Sequence, residues 1–174
     1  DLRTLIKPAA VVYGPTNKKL SKPENAAYQL GKEIFSREGM CATCHQIDGK
    51  GADMPAEPGK PLRGAYPSLV DSNWIKGDPT RVIKIVLNGM YGPMTFNGKT
   101  YGDVATGQPA MTPLGQMLKD EEVAAVLTYV RQSWKNNESP VTADQVKKVR
   151  ESIKNKQPSL YTPDEILKEH PLAK

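Results

Sequence analysis

The sequence predicts an all-α fold, a few short helices joined by long turn-rich loops, on three grounds. Segments near residues 21–35, 78–88 and 120–134 carry apolar residues at helical spacing behind capping residues. No run alternates with the period of two that marks a half-buried strand, which limits β structure to a short hairpin around Phe96-Asn97-Gly98-Lys99. Fourteen Gly and 15 Pro among 174 residues punctuate the backbone with turns.

Leu, Ile, Val and Phe make up 35 of the 174 residues, so a core of protein side chains alone is thin. The longest apolar stretches, Ala9 to Val12 and Val123 to Leu127, fall far short of the ~20 residues of a membrane span, and no transmembrane segment is expected. Residue 1 is Asp, with no initiator Met, and is read as the start of a processed or excised chain whose export leader has been removed.

Taken in order, Ser21-Lys22-Pro23-Glu24 is a capping box with Pro in the first turn, followed by Ala27, Leu30, Gly31, Ile34 and Phe35 on one helical face, with Gly39 ending the element. Gln46 to Tyr66 is rich in Gly and Pro and reads as a loop. Asp78-Pro79 opens a second core helix whose stripe is Val82, Ile83, Val86 and Leu87, stopped by Asn88-Gly89. After another turn-rich stretch, Asp120 caps a third helix carrying Val123, Val126, Leu127, Val130 and Trp134 and ending near Asn136. Thr142-Ala143-Asp144-Gln145 and Thr162-Pro163-Asp164-Glu165 open two short helices with narrow apolar stripes, which must lie against the main domain or a partner. The division expected is an N-terminal extension over 1–24, one domain over 25–136 and a C-terminal helical extension over 137–174.

The chain has two cysteines, in Cys41-Ala42-Thr43-Cys44-His45. Two thiols three positions apart with an imidazole next in line form the attachment pattern for covalent haem. On a helical turn Cys41 and Cys44 project to the same side, where both sulfurs reach the vinyl groups of one porphyrin, and His45 offers a ring nitrogen to the iron. A zinc site lacks a second cysteine pair, and a redox dithiol lacks a surrounding βαβ unit. One such motif predicts one haem c per chain.

The second axial position decides between carrying electrons and binding gases or peroxide. The candidates are His170 and the methionines at 40, 54, 90, 94, 111 and 117. Met111 lies in Gln108-Pro109-Ala110-Met111-Thr112-Pro113, a proline-stiffened segment nine residues before the last core helix, and Met94 lies in Gly92-Pro93-Met94.

The pieces Gly31 to Phe35, Cys41 to His45, Tyr66-Pro67-Ser68-Leu69, Val86-Leu87-Asn88-Gly89, Met111 and Glu121 to Arg131 occur in an order that resembles the class I c-type cytochromes, over roughly Asn25 to Trp134. The resemblance implies the cytochrome c fold, with helices and loops wrapped around one covalent haem. It maps the ligand Met onto Met111. The family's frequent Met-Pro pair is Met111-Thr112-Pro113 here, which leaves Met94 as a rival. It also implies that the Pro67 carbonyl accepts the second imidazole hydrogen of His45, that Gly31 and Tyr129 meet where first and last helices cross, and that Trp74 and Arg81 donate to the haem propionates.

His/Met ligation fills both axial positions, which suits single-electron transfer at a comparatively high potential rather than catalysis. The expected partner is a redox protein such as a periplasmic dehydrogenase or a terminal oxidase, in a periplasmic or otherwise exported compartment, with the chain free or part of a larger oxidoreductase. The competing class is a haem enzyme or sensor with an open or displaceable sixth site, peroxidase-like or gas-binding. Net charge is +3 over residues 1–40, zero over 41–134 and +2 over 135–174, a modest basic balance without aromatic interleaving that argues against nucleic acid.

Overall fold

The computed structural model describes residues 20–172. Helix α1 (Lys22–Ser36) begins at Ser21, whose hydroxyl accepts from the Glu24 amide while the Glu24 carboxylate accepts from the Ser21 amide. It crosses α4 (Asp120–Gln132), and the crossing is tight: a Cβ on Gly31 would lie 1.9 Å from the Ala125 carbonyl oxygen and 2.9 Å from Tyr129 Cβ. Tyr28, Phe35 and Trp134 surround Tyr129 there, with ring centroids 5.2–5.4 Å apart.

Between these helices lie α2 (Cys41–His45) and α3 (Pro79–Asn88). The Asp78 carboxylate caps α3 by accepting from the Thr80 amide at 2.8 Å, and Pro79 occupies the first turn where its missing N–H costs nothing. Val82, Ile83, Val86 and Leu87 are buried as their spacing predicts. Lys119 rather than Asp120 stands at the α4 N-cap, and α4 stops at Gln132, short of Asn136. The cause is local: Trp134 and Lys135 take φ of 51° and 65°, which a right-handed helix cannot continue.

The all-α expectation needs one correction, because two small antiparallel sheets accompany the helices. β1 (Ala52–Asp53) pairs with β2 (Gly64–Tyr66), and β3 (Met94–Phe96) pairs with β4 (Lys99–Tyr101). The second is the anticipated hairpin, turned by Asn97 and Gly98 with φ of 49° and 72°. The first falls within the stretch read as loop. Strands of two and three residues are too short for alternation to register in a sequence.

Helices α5 (Ala143–Ile153) and α6 (Pro163–Glu169) start in capping boxes at Thr142/Gln145 and Thr162/Glu165. α5 lays Val146, Val149 and Ile153 against α3 and α4, and Arg150 Nε donates to Asp120 at 2.7 Å. These helices therefore share the core rather than forming one of their own. The extension expected over 1–24 lies outside the described residues as far as residue 19. No helix among the described residues is long and apolar enough to cross a membrane.

Candidate haem-binding site

α2 sets Cys41 and His45 one turn apart, and both face a cavity of about 730 Å³, open solvent at its mouth included. Cys44, three residues after Cys41, is half-buried and lies outside the cavity lining. Neither thiol is bridged. Burial pushes the Cys41 thiol up to about 11, the reverse of the lowered values that make a redox thiolate reactive.

His45 Nδ1 lies 2.9 Å from the Pro67 carbonyl oxygen. With its proton there, the ring leaves Nε2 as a free donor of electrons. Burial lowers the His45 pKa, only partly opposed by the Pro67 carbonyl, so the imidazole is held neutral as ligation requires. The backbone fixes this pair from both ends: the Gly51 amide donates to the His45 carbonyl at 2.9 Å, and the Leu69 amide donates to the Gly49 carbonyl at 2.7 Å.

The rest of the lining is almost wholly apolar. Phe35 of α1, Val82 and Val86 of α3 and Leu127 and Val130 of α4 form its walls, and among the described residues only Ser68 and Ser72 contribute hydroxyls. Trp74 lies in the lining as well. Three of the six methionines, Met90, Met94 and Met111, reach the cavity. His170 does not; its Nδ1 lies 2.6 Å from Asp78 Oδ2 on α3.

Arg81 takes a place other than the one its resemblance implied. Its side chain is fully buried and absent from the cavity lining. All five of its donors go to backbone carbonyls: Nε to Trp74, Nη1 to His170 and Pro171, Nη2 to Asn73 and Lys76. No donor is left for a propionate. Arg81 instead holds the 73–76 turn that carries Trp74 into the cavity wall.

Arg131 does the same from α4, donating to the Ile75 carbonyl at 2.8 Å and the Gly77 carbonyl at 3.1 Å. Asn136 ties the same region by accepting from the Ser72 amide and donating to the Leu69 and Val130 carbonyls. Sequence reasoning passed over both. A basic residue in an otherwise apolar helical stripe is the signal for Arg131; a lone Asn beyond a helix end carries none.

A family model described as Cytochrome c matches residues 28–134. The chain belongs to the cytochrome c family. This cytochrome is 32% identical over 127 residues to cytochrome c-552 of Thermus thermophilus, covering 69% of this chain and 83% of the relative. It is 36% identical over 117 residues to the fructose dehydrogenase cytochrome subunit of Gluconobacter japonicus, covering 65% of this chain. Against the gluconate 2-dehydrogenase cytochrome c subunit of Pantoea cypripedii it is 33% identical over 125 residues, covering 70% of this chain. It spans only 21% and 24% of the lengths of those two dehydrogenase subunits.

The residues present fit a haem. An apolar cavity carries a cysteine of the attachment motif, an imidazole with a free Nε2 and thioether sulfurs, a donor set suited to an iron porphyrin.

Proposed function

We propose that this cytochrome carries single electrons on one covalent haem c, attached at Cys41 and Cys44 and ligated by His45 and Met111. The observation that carries the reading is His45 in the wall of an apolar cavity, its Nδ1 committed to Pro67 and its Nε2 free, beside Cys41 and within reach of methionine side chains. A haem held there supplies an iron that changes charge by one.

The chain's residues do the rest. Cys41 and Cys44 anchor, while Pro67 fixes the ring orientation of His45 and raises its basicity. Met111 supplies a thioether that donates weakly to ferric iron and so favours the ferrous state. The walls from α1, α3 and α4 keep water out and disfavour the extra positive charge of oxidation, which raises the potential further. Met111 is favoured over Met94 because it lies in the loop that leads into α4, the place from which the family draws its ligand. With His45 and Met111 both donating to it, a haem held here would have no site open to a substrate, so the chain would serve as a carrier rather than a catalyst.

We propose a dehydrogenase as electron donor, since relatives of this chain are named as cytochrome subunits of dehydrogenases, and an exported compartment, where haem c is attached. Residues 25–136 form the haem domain in this reading and 137–174 an appended helical segment. The chain expressed in a host competent in cytochrome maturation tests it. The expected product is heavier than its polypeptide by one haem and shows, when ferric, a weak near-infrared sulfur-to-iron band. Met111→Ala is expected to abolish that band and to let the ferrous protein bind carbon monoxide; survival of the band would transfer the ligand to Met94.

A further inference from the structure

The backbone that carries Met111 is paired with Met90, and the residues on either side of Met90 are held from outside the region that matches the family. Met90 is the middle member of a three-part ladder: its amide donates to the Met111 carbonyl at 3.2 Å, and its carbonyl accepts from the Met111 amide at 2.9 Å. On the other side, the Tyr161 amide donates to the Gly89 carbonyl at 3.1 Å, and the Tyr161 carbonyl accepts from the Tyr91 amide at 2.9 Å. Between Gln108 and Leu114, no other backbone hydrogen bond holds the chain among the described residues. The approach is close, for a Cβ on Gly89, at φ 74°, would sit 2.5 Å from the Met111 oxygen.

Tyr161 lies between α5 and α6, past the end of the family match at residue 134. Its side chain is buried, with the Lys156 ammonium 4.3 Å and the Lys84 ammonium 5.9 Å from the ring centroid. Lys84 pairs in turn with Glu169 of α6, and Asn88 donates from the end of α3 to the Ser159 carbonyl at 2.9 Å. The outer rung of the ladder is thus tied to α3 by the Tyr161 ring at Lys84 and, two residues earlier, by Ser159 at Asn88.

We propose that Tyr161 is a positioning residue for Met111: the C-terminal segment, through Met90, fixes the loop that presents the thioether, and so sets how firmly that ligand is held. This rests on Met111 being the ligand. A loop fixed only from within would let the sulfur leave more often, whereas each ladder hydrogen bond that must break first makes departure rarer.

The test uses the full, haem-loaded ferric protein and reads the rate at which added imidazole displaces the sixth ligand, with the near-infrared band as companion. Tyr161→Ala keeps the backbone groups of the ladder but removes the buried ring that anchors them, and is expected to speed capture by about tenfold, a part of the cost of emptying a buried aromatic site; Tyr161→Phe is expected to restore the wild-type rate. Val146→Ala, a buried change in α5 away from the ladder, is expected to lower stability without changing capture. Wild-type capture by Tyr161→Ala, or equal acceleration by Val146→Ala, would overturn the positioning role while leaving Met111 as ligand. Retention of the band in Met111→Ala would instead remove the ligand reading and this role with it. Should Tyr161→Ala fail to take up haem, amide exchange in the wild-type protein decides: Met90, Tyr91, Met111 and Tyr161 are expected to exchange as one group, and a Tyr161 amide exchanging about tenfold faster than that of Met111 would sink the proposal.

Discussion

Gly31 has no room for a single methyl group, because the obstruction is the Ala125 backbone rather than a side chain that can turn aside. Gly31→Ala is expected to cost about 2–3 kcal/mol, read by denaturant unfolding of the haem-loaded protein; a change within ±0.5 kcal/mol would mean that α1 and α4 can slide. Arg81→Lys is expected to cost about as much, 2–4 kcal/mol, since three ammonium donors cannot serve five carbonyls spread over residues 73–76 and 170–171. An unchanged melting temperature would show that those carbonyls find water. These residues also mark what can be read without coordinates. Gly31 is legible through the family resemblance, which implies a close crossing of the first and last helices at Gly31 and Tyr129. Arg81 is not, since a cation in the first turn of a helix looks the same whether its guanidinium points at solvent, a carboxylate or a ring of peptide oxygens.

Elements declare themselves where their chemistry is local. α1, α5 and α6 were legible from capping boxes, which are complete within four residues, and α3 from Asp-Pro at its start and Asn-Gly at its end. β1 and β2 were not, because what makes them strands is each other, joined across an intervening Gly/Pro-rich loop. The end of α4 is illegible for a different reason: the chain leaves the helix at Trp134 and Lys135, residues whose types do not announce a positive φ, and Asn136 lies beyond that turn, bonded to Leu69 and Ser72. The α5–α6 segment is held partly by carboxylates, which gives it a pH dependence. Lys84 holds the Glu169 carboxyl below its ordinary 4.5, and the Thr162 amide does the same for Glu165. A depressed native value means that the stabilisation is complete above the unfolded pKa and fades as pH falls through the lower, folded one. The segment is therefore expected to loosen below about pH 4.5 before α1 and α4 do. Both carboxylates are exposed, so the effect should be shallow and weaker in high salt. Hydrogen exchange at Tyr161 between pH 6 and pH 3.5 measures it; loosening as pH rises would contradict the assignment.

At the scale of the whole molecule, the thin supply of large apolar residues and the wide cavity describe the same fact. α1, α3 and α4 turn their apolar faces toward a space that their side chains do not fill. Chain made with Cys41→Ser and Cys44→Ser, and so without thioether bonds, is expected to keep much of its helical circular dichroism while losing near-ultraviolet signal and cooperative melting. A sharp transition at the melting temperature of the haem-loaded protein would show that the polypeptide closes on itself.

The guanidinium of Arg81 finds two of its partners, the His170 and Pro171 carbonyls, about ninety positions further along the chain. The turn bearing Trp74 is therefore fixed only once stretches so far apart in sequence have met, and that part of the cavity wall is expected to close late in folding, after the helices whose caps are complete within four residues.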